Sequence, residues 1–171
     1  MGNSSYVRIT DRNRMPQVRN TLRQANGASI KVGIWGGGKM ELIASVQEFG
    51  CRIPVTEKMR KYLHSQGLHL KPSTTEIVIP ERSFIRAGWD ENEGEINRKY
   101  EELIEDVFEQ GISASAFLDA MGQEARDRIR DYARDLRDPA NHPFTIEKKS
   151  SSNPLVDSGD MIQAIDYEVN N

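Results

Sequence analysis

The chain has 171 residues, 37% of them hydrophobic and 29% charged, with a formal net charge of −3. That length is enough to bury a core, and the polarity stays on the globular side of disorder. The acidic balance argues against duplex DNA as the main partner, because phosphate-binding domains carry a basic excess, and the lone cysteine, Cys51, excludes an intramolecular disulfide framework.

No stretch approaches the ~20 apolar residues that span a bilayer. Met1 to Arg14 holds three arginines with no apolar run behind them, unlike a secretory signal. The expectation is a soluble protein made in a cytoplasm, with no membrane partner.

Residues 1–10 read as a tail or a short strand. Asp11 to Asn26 predicts a first helix, with Met15, Val18, Leu22 and Ala25 near a 3.6-residue spacing and Gly27 as its stop. Ser29 to Trp35 alternates, placing Ile30, Val32 and Ile34 on one face of a half-buried strand. Gly36, Gly37 and Gly38 break the chain before a helix over Met40–Phe49, whose apolar side reads as Leu42, Ile43, Val46 and Phe49. Gly50 suits the positive φ that ends a helix.

Thr56 to Gln66 predicts a short amphipathic helix. Leu68–Leu70 and Glu76–Ile79 read as two strands joined by a turn, so that residues 52–79 form an inserted helix-hairpin unit within a single domain over 1–171. Pro80–Trp89 fits no element. Ile96–Gln110 is a helix, closed by Gly111. Ser113 or Ser115 can cap the next helix, which runs to about Leu136 before Pro139 and Pro143 forbid more. Glu147–Asn153 reads as a polar loop. Asp157 or Ser158 can cap a last short helix through Met161 and Ile162, and Ile165, Tyr167 and Val169 alternate as a final strand. Helices and strands follow no βαβ rhythm. The predicted class is α+β, a small mixed or antiparallel sheet packed with two long helices.

Few residues of the chain stand in a pattern that carries chemistry. Gly33 to Met40 matches the glycine and lysine positions of a phosphate-binding loop, but Met40 stands where that motif needs a hydroxyl for Mg²⁺. His64, His69 and His142 lack zinc-ligand spacing. Glu101, Glu105 and Glu109 line one helical stripe, Asp127, Asp131 and Asp135 another, beside Arg126, Arg130 and Arg134. Such mixed stripes are ordinarily solvated faces; the carboxylates leave a metal-dependent nuclease as a distant alternative, and the arginines could face a subunit or DNA. No cofactor is expected. Trp35 and Trp89 adjoin glycine-containing stretches and are candidates for core packing or for an interface.

Three segments carry a resemblance when taken in order. They are Val46-Gln-Glu48-Phe49-Gly50, then Ile79-Pro80-Glu81-Arg82-Ser83-Phe84-Ile85-Arg86, then Asn153-Pro154-Leu155-Val156-Asp157-Ser158-Gly159 with Met161 to Ile165 behind it. Together they resemble the neck or tail-completion proteins of tailed bacteriophages, in particular the Mu-like virion-morphogenesis branch, from about Lys31 to Val169. Where that family usually has Asp-Thr-Gly followed by a basic or apolar residue, this chain has Ser158 and Asp160. Each segment also reads physically. Glu-Phe-Gly suggests an aromatic anchor and a helix stop, Pro-Glu-Arg-Ser-Phe an extended entry that sends Phe84 and Ile85 into the core, and Pro-Leu-Val-Asp-Ser-Gly a staple and cap.

The resemblance implies a virion structural protein and not an enzyme. It implies a ring of identical subunits at the head–tail junction, meeting the head-side connector on one side and tail tube or tail terminator proteins on the other, and able to contact DNA in the channel. A tail terminator or a minor head morphogenesis protein is the nearest alternative. The unit at 52–79 and the turn at Gly36–Lys39 are the expected places of contact within such an assembly.

Overall fold

A computed structural model describes residues 13–149 and 151–170. The elements in chain order are α1 (Met15–Ala25), β1 (Ser29–Gly33), α2 (Lys39–Phe49), β2 (Cys51–Pro54), α3 (Glu57–Ser65), β3 (Glu76–Ile79), α4 (Arg86–Gln110), α5 (Ala114–Asp135), α6 (Pro143–Lys149), α7 (Asp160–Gln163) and β4 (Asp166–Asn170). The class is α+β, as the patterning predicted, with two separate two-stranded antiparallel sheets.

The frame is the helical hairpin α4–α5. Gly111, at φ +70°, turns the chain between them, and the Ser113 hydroxyl accepts from the Ala116 amide to cap α5. Against α5 lies the first sheet, in which β1 and β4 pair from Ser29↔Asn170 to Gly33↔Asp166. The last strand of the chain thus closes onto the first. Arg130 of α5 fixes the approach to β4 by donating to the carbonyls of Gln163 and Ile165. Gln163 ends the short helix α7 and Ile165 lies just past it, at carbonyls where a cation is favourable.

Two apolar clusters share α5. One joins Phe84, Ile129, Ala133, Leu155, Ile162 and Ile165; the other joins Val18 of α1 to Val107, Phe117 and Leu118. Phe84 enters the first with no exposed surface, as its motif predicted, and Ile85 packs beside it.

Several expectations are corrected. The second strand expected at Leu68–Leu70 does not form, and β3 pairs instead with β2, Cys51 opposite Ile79 and Pro54 opposite Glu76. The inserted unit is therefore β2–α3–β3, a ladder closed over a helix. The Thr56 hydroxyl caps α3 by accepting from the Met59 amide. Arg60 clamps the return by donating to the carbonyls of Leu70, Lys71 and Thr74. No residue from Cys51 to Ile79 is buried, and α3 makes no sizeable contact with any helix of the body. The unit is an arm.

Helix α4 begins at Arg86, ten residues before the expected start at Ile96, and Pro143–Lys149 is an unexpected helix whose end runs into the loop expected over Glu147–Asn153. Residues 11 and 12 of the predicted first helix, and the tail or short strand expected over 1–10, lie outside the described residues.

Candidate functional site

The three motif segments, far apart in sequence, meet around two buried charges. Glu48 sits in the last turn of α2 with its carboxylate turned inward. That carboxylate accepts from the Ser83 hydroxyl at 2.8 Å, from the amides of Phe84 at 2.7 Å, Ile85 at 2.9 Å and Arg86 at 3.1 Å, and from Arg86 Nε at 2.9 Å. The first amides of a helix have no partner within it, and the residue before α4, Ile85, offers no capping side chain. Glu48 supplies the cap from another helix, with its negative charge at the positive end of the helix dipole. Burial alone pushes the Glu48 carboxyl up; the amides of Ile85, Arg86 and Phe84 and the Ser83 hydroxyl outweigh it, and the group ends below its ordinary value.

Arg82 is the second charge. Its guanidinium donates to the carbonyls of Pro139 at 2.6 Å and Ala140 at 3.1 Å and to the side-chain oxygens of Gln47 at 2.9 Å and Asn141 at 3.2 Å. Burial lowers its pKa, and the four acceptors replace the water it has lost. The Asn141 amide then donates to the Pro154 carbonyl at 3.4 Å, and the Lys149 ammonium to the same carbonyl at 3.1 Å. A hydrogen-bonded path thus runs from the Glu-Phe-Gly segment through Pro-Glu-Arg-Ser-Phe to Asn-Pro-Leu-Val.

Gly50 ends α2 at φ +72°, as expected. A Cβ there would lie 2.9 Å from the Glu81 amide and 3.0 Å from the Ile79 carbonyl. Pro80 and Glu81 pass directly over it, and the Arg82 amide donates to the Gln47 carbonyl at 2.7 Å. Glu81 remains exposed and pairs with Arg86.

Three motif roles differ from expectation. Phe49 is exposed and anchors nothing; the Arg86 guanidinium lies over its ring, 4.8 Å from the centroid. Leu42 is also exposed, so the inward face of α2 is Ala44 and Glu48, flanked by Met40 and Ile43. Asp157 makes no cap for α7, and Ser158 reaches its first amide, that of Asp160, only at 3.5 Å from outside the N-cap position. Gly159 holds the N-cap position at φ +90°, and the Ser158 hydroxyl donates to Asp160 instead.

The Gly36–Gly38 turn has positive φ throughout, and the Gly37 amide donates to the Glu41 carboxylate at 2.7 Å. A phosphate-binding loop aims such amides at its ligand; here a carboxylate of the same chain already holds one. Trp35 is partly exposed beside this turn, whereas Trp89 is half-buried and faces a cavity of about 280 Å³ shared with Tyr100, Met121 and Ala125.

His64 and His69 do meet, Nδ1 to Nδ1 at 2.7 Å, because the turn at Gly67 reverses the chain between them. Among the described residues no three His, Cys, Asp or Glu side chains come together as metal ligands. Asp127 pairs with Arg126 and Asp131 with Arg134, while Arg126 also stacks over Tyr167. Much of the arginine stripe of α5 is thus neutralised inside its own chain. No described helix is long and apolar enough to cross a membrane. No protein-family model matches the chain, nor does any curated protein or solved structure.

Proposed function

We propose that the chain is a structural subunit of a tailed-phage virion, a neck or tail-completion protein that forms a ring between head connector and tail. The observation that supports this reading is the convergence of the three segments that carry the resemblance. Glu48 caps the helix entered through Ser83–Arg86, and Arg82 ties that entry to the 139–141 turn and, through Asn141, to Pro154. Segments that define a family by their structure are expected to pack together in this way. Their charged groups are held by backbone and side-chain partners of the same chain, which suits a scaffold better than proton transfer or nucleophilic attack.

The arm supports the same reading. It has no buried residue, and assembly proteins often complete such elements only against a neighbour. A closed ring needs a heterologous interface, two different patches on each copy.

The test has two parts. Light scattering behind a sizing column, followed by electron microscopy of the peak, is expected to show a ring with a central hole, either alone or after addition of connector. Mass spectrometry of purified particles is expected to find the chain at several copies per virion. Its absence from particles overturns the reading.

A further inference from the structure

The charges of this chain are not evenly spread. The arm carries Arg52, Lys58, Arg60, Lys61 and Lys71 against Glu57 and Glu76. On the exposed side of α3, Lys58, Lys61 and Tyr62 stand at i, i+3 and i+4 and form one stripe. Neither lysine has an ion-pair partner among the described residues, and Tyr62 is 63% exposed. Arg60 faces the other way and is held by its three carbonyls.

The outer face of α4 is the converse. Glu101, Glu105 and Glu109 repeat at i+4, all exposed and none in an ion pair among the described residues. Between them lie two apolar side chains that a solvated helix would not need, Ile104 at 39% and Phe108 at 46% exposed. Elsewhere on the hairpin Glu95, Glu102 and Glu124 pair with Arg98, Lys99 and Arg128; Asp90, Glu91 and Glu93 near the start of α4 form no ion pair among the described residues, but no large apolar side chain is exposed beside them. On the strip from Glu101 to Glu109, unpaired acids and exposed apolar side chains coincide.

We propose that α3 of one copy docks on this strip of α4 in the next copy, with Lys58 and Lys61 meeting Glu101 and Glu105 and with Tyr62 seated against Ile104 and Phe108. The occupant is a second copy because the two surfaces carry opposite charge at matching spacing, with an apolar element on each. In a helix, neighbours at i+3 and i+4 stand about 5–6 Å apart on either partner, so paired contacts keep register. The contact is heterologous, the geometry that closes into a ring or runs into a filament. It rests on the ring reading above and specifies which surfaces make the ring.

The full-length chain is tested by sedimentation velocity over a concentration series. Association is expected to weaken about tenfold or more between roughly 0.05 M and 0.5 M salt, as the Debye length contracts severalfold. The double variants Lys58→Glu/Lys61→Glu and Glu101→Lys/Glu105→Lys are each expected to be monomeric with unchanged unfolding midpoints. Their equimolar mixture is expected to associate again, because each then offers the surface that the other needs. Carbodiimide coupling is expected to join Lys58 or Lys61 to Glu101 or Glu105 between chains. A wild-type chain that stays monomeric and gives no such cross-link overturns the contact. So does an oligomer that survives both charge swaps, and that result leaves the ring reading standing on another surface. Absence from virions, by contrast, removes the ring reading itself.

Discussion

The ring of Tyr167 in β4 crowds Gly122 of α5, so close that a Cβ on Gly122 would fall 2.8 Å from its Cγ and nearer still to the ring edge. The same tyrosine donates its hydroxyl to Asp119, one turn earlier on α5, and carries the Arg126 guanidinium over its ring. Closure of the chain's last strand onto its frame depends on a helix position with no side chain. Glycine within a helix ordinarily costs about 0.5–1 kcal/mol relative to alanine. Here Gly122→Ala is expected to destabilise by about 1–3 kcal/mol, as overpacking does. Urea unfolding decides the sign; a stabilised variant would mean that β4 does not press on α5.

Glu48 carries a prediction with a pH signature. Glu48→Gln keeps the shape but gives up the charge and one acceptor oxygen, facing donors that stay in place. A loss of about 2–3 kcal/mol is expected, in the range for hydrogen bonds to a charged group. Because the folded carboxyl lies below its ordinary value, its contribution is fully present above the unfolded value of roughly 4.3 and is lost as pH falls through the lower folded value. The parent chain is therefore expected to lose stability below about pH 4.3 more steeply than Glu48→Gln. Denaturation midpoints from pH 6 to pH 3 measure this, and parallel curves for the two proteins would contradict the assignment.

The sequence showed where this hub lies but not how it works. Glu48 and Arg82 both fall within the motif segments, yet pattern alone makes Phe49 the anchor, since a carboxylate among apolar residues reads as the polar side of a helix. Its burial is decided by amides 36 to 38 positions later, which no local spacing reveals. The start of α4 is hidden in the sequence for the same reason. Gly88, Gly94 and the acidic run from Asp90 weaken the helical signal, and the cap comes from another helix. Gly88 is there because Tyr132 packs against it. The pairing of β3 with β2 was hidden by α3 between them, whereas long, strongly periodic elements such as α5 and the alternating β1 and β4 were legible from side-chain spacing alone.

Arg82 is expected to tolerate no substitute. Arg82→Met fills similar volume but leaves the carbonyls of Pro139 and Ala140 and the side chains of Gln47 and Asn141 without their donor. Lysine reaches with one ammonium and cannot reproduce the planar fork. Both variants are expected to lose about 2–4 kcal/mol, with Arg82→Lys the milder. Amide hydrogen exchange should locate the damage. Faster exchange is expected over 139–149 and around Leu155, while α1 and the β1–β4 ladder keep their protection. Uniform acceleration across the chain would show that the effect is global and that Arg82 is not a local tie.

Gly50 is where the arm joins the body, and its two constraints act together. The backbone there is left-handed at φ +72°, and the space a side chain would take is filled by the Glu81 amide and the Ile79 carbonyl, which are backbone atoms and cannot swing aside. Gly50→Ala therefore has to move the Ile79–Glu81 strand end, and with it the bond from the Arg82 amide to the Gln47 carbonyl. The expected cost is about 1–3 kcal/mol, from positive φ and overpacking combined. The arm should feel it more than the core does, because β2 and β3 are held to the body at this crossing and no residue between them is buried. Limited proteolysis is expected to cut the Gly50→Ala chain first within 55–75, at a rate well above the parent's, while the near-ultraviolet signal of half-buried Trp89 is unchanged. Equal cleavage rates would show that the arm's attachment does not depend on this glycine.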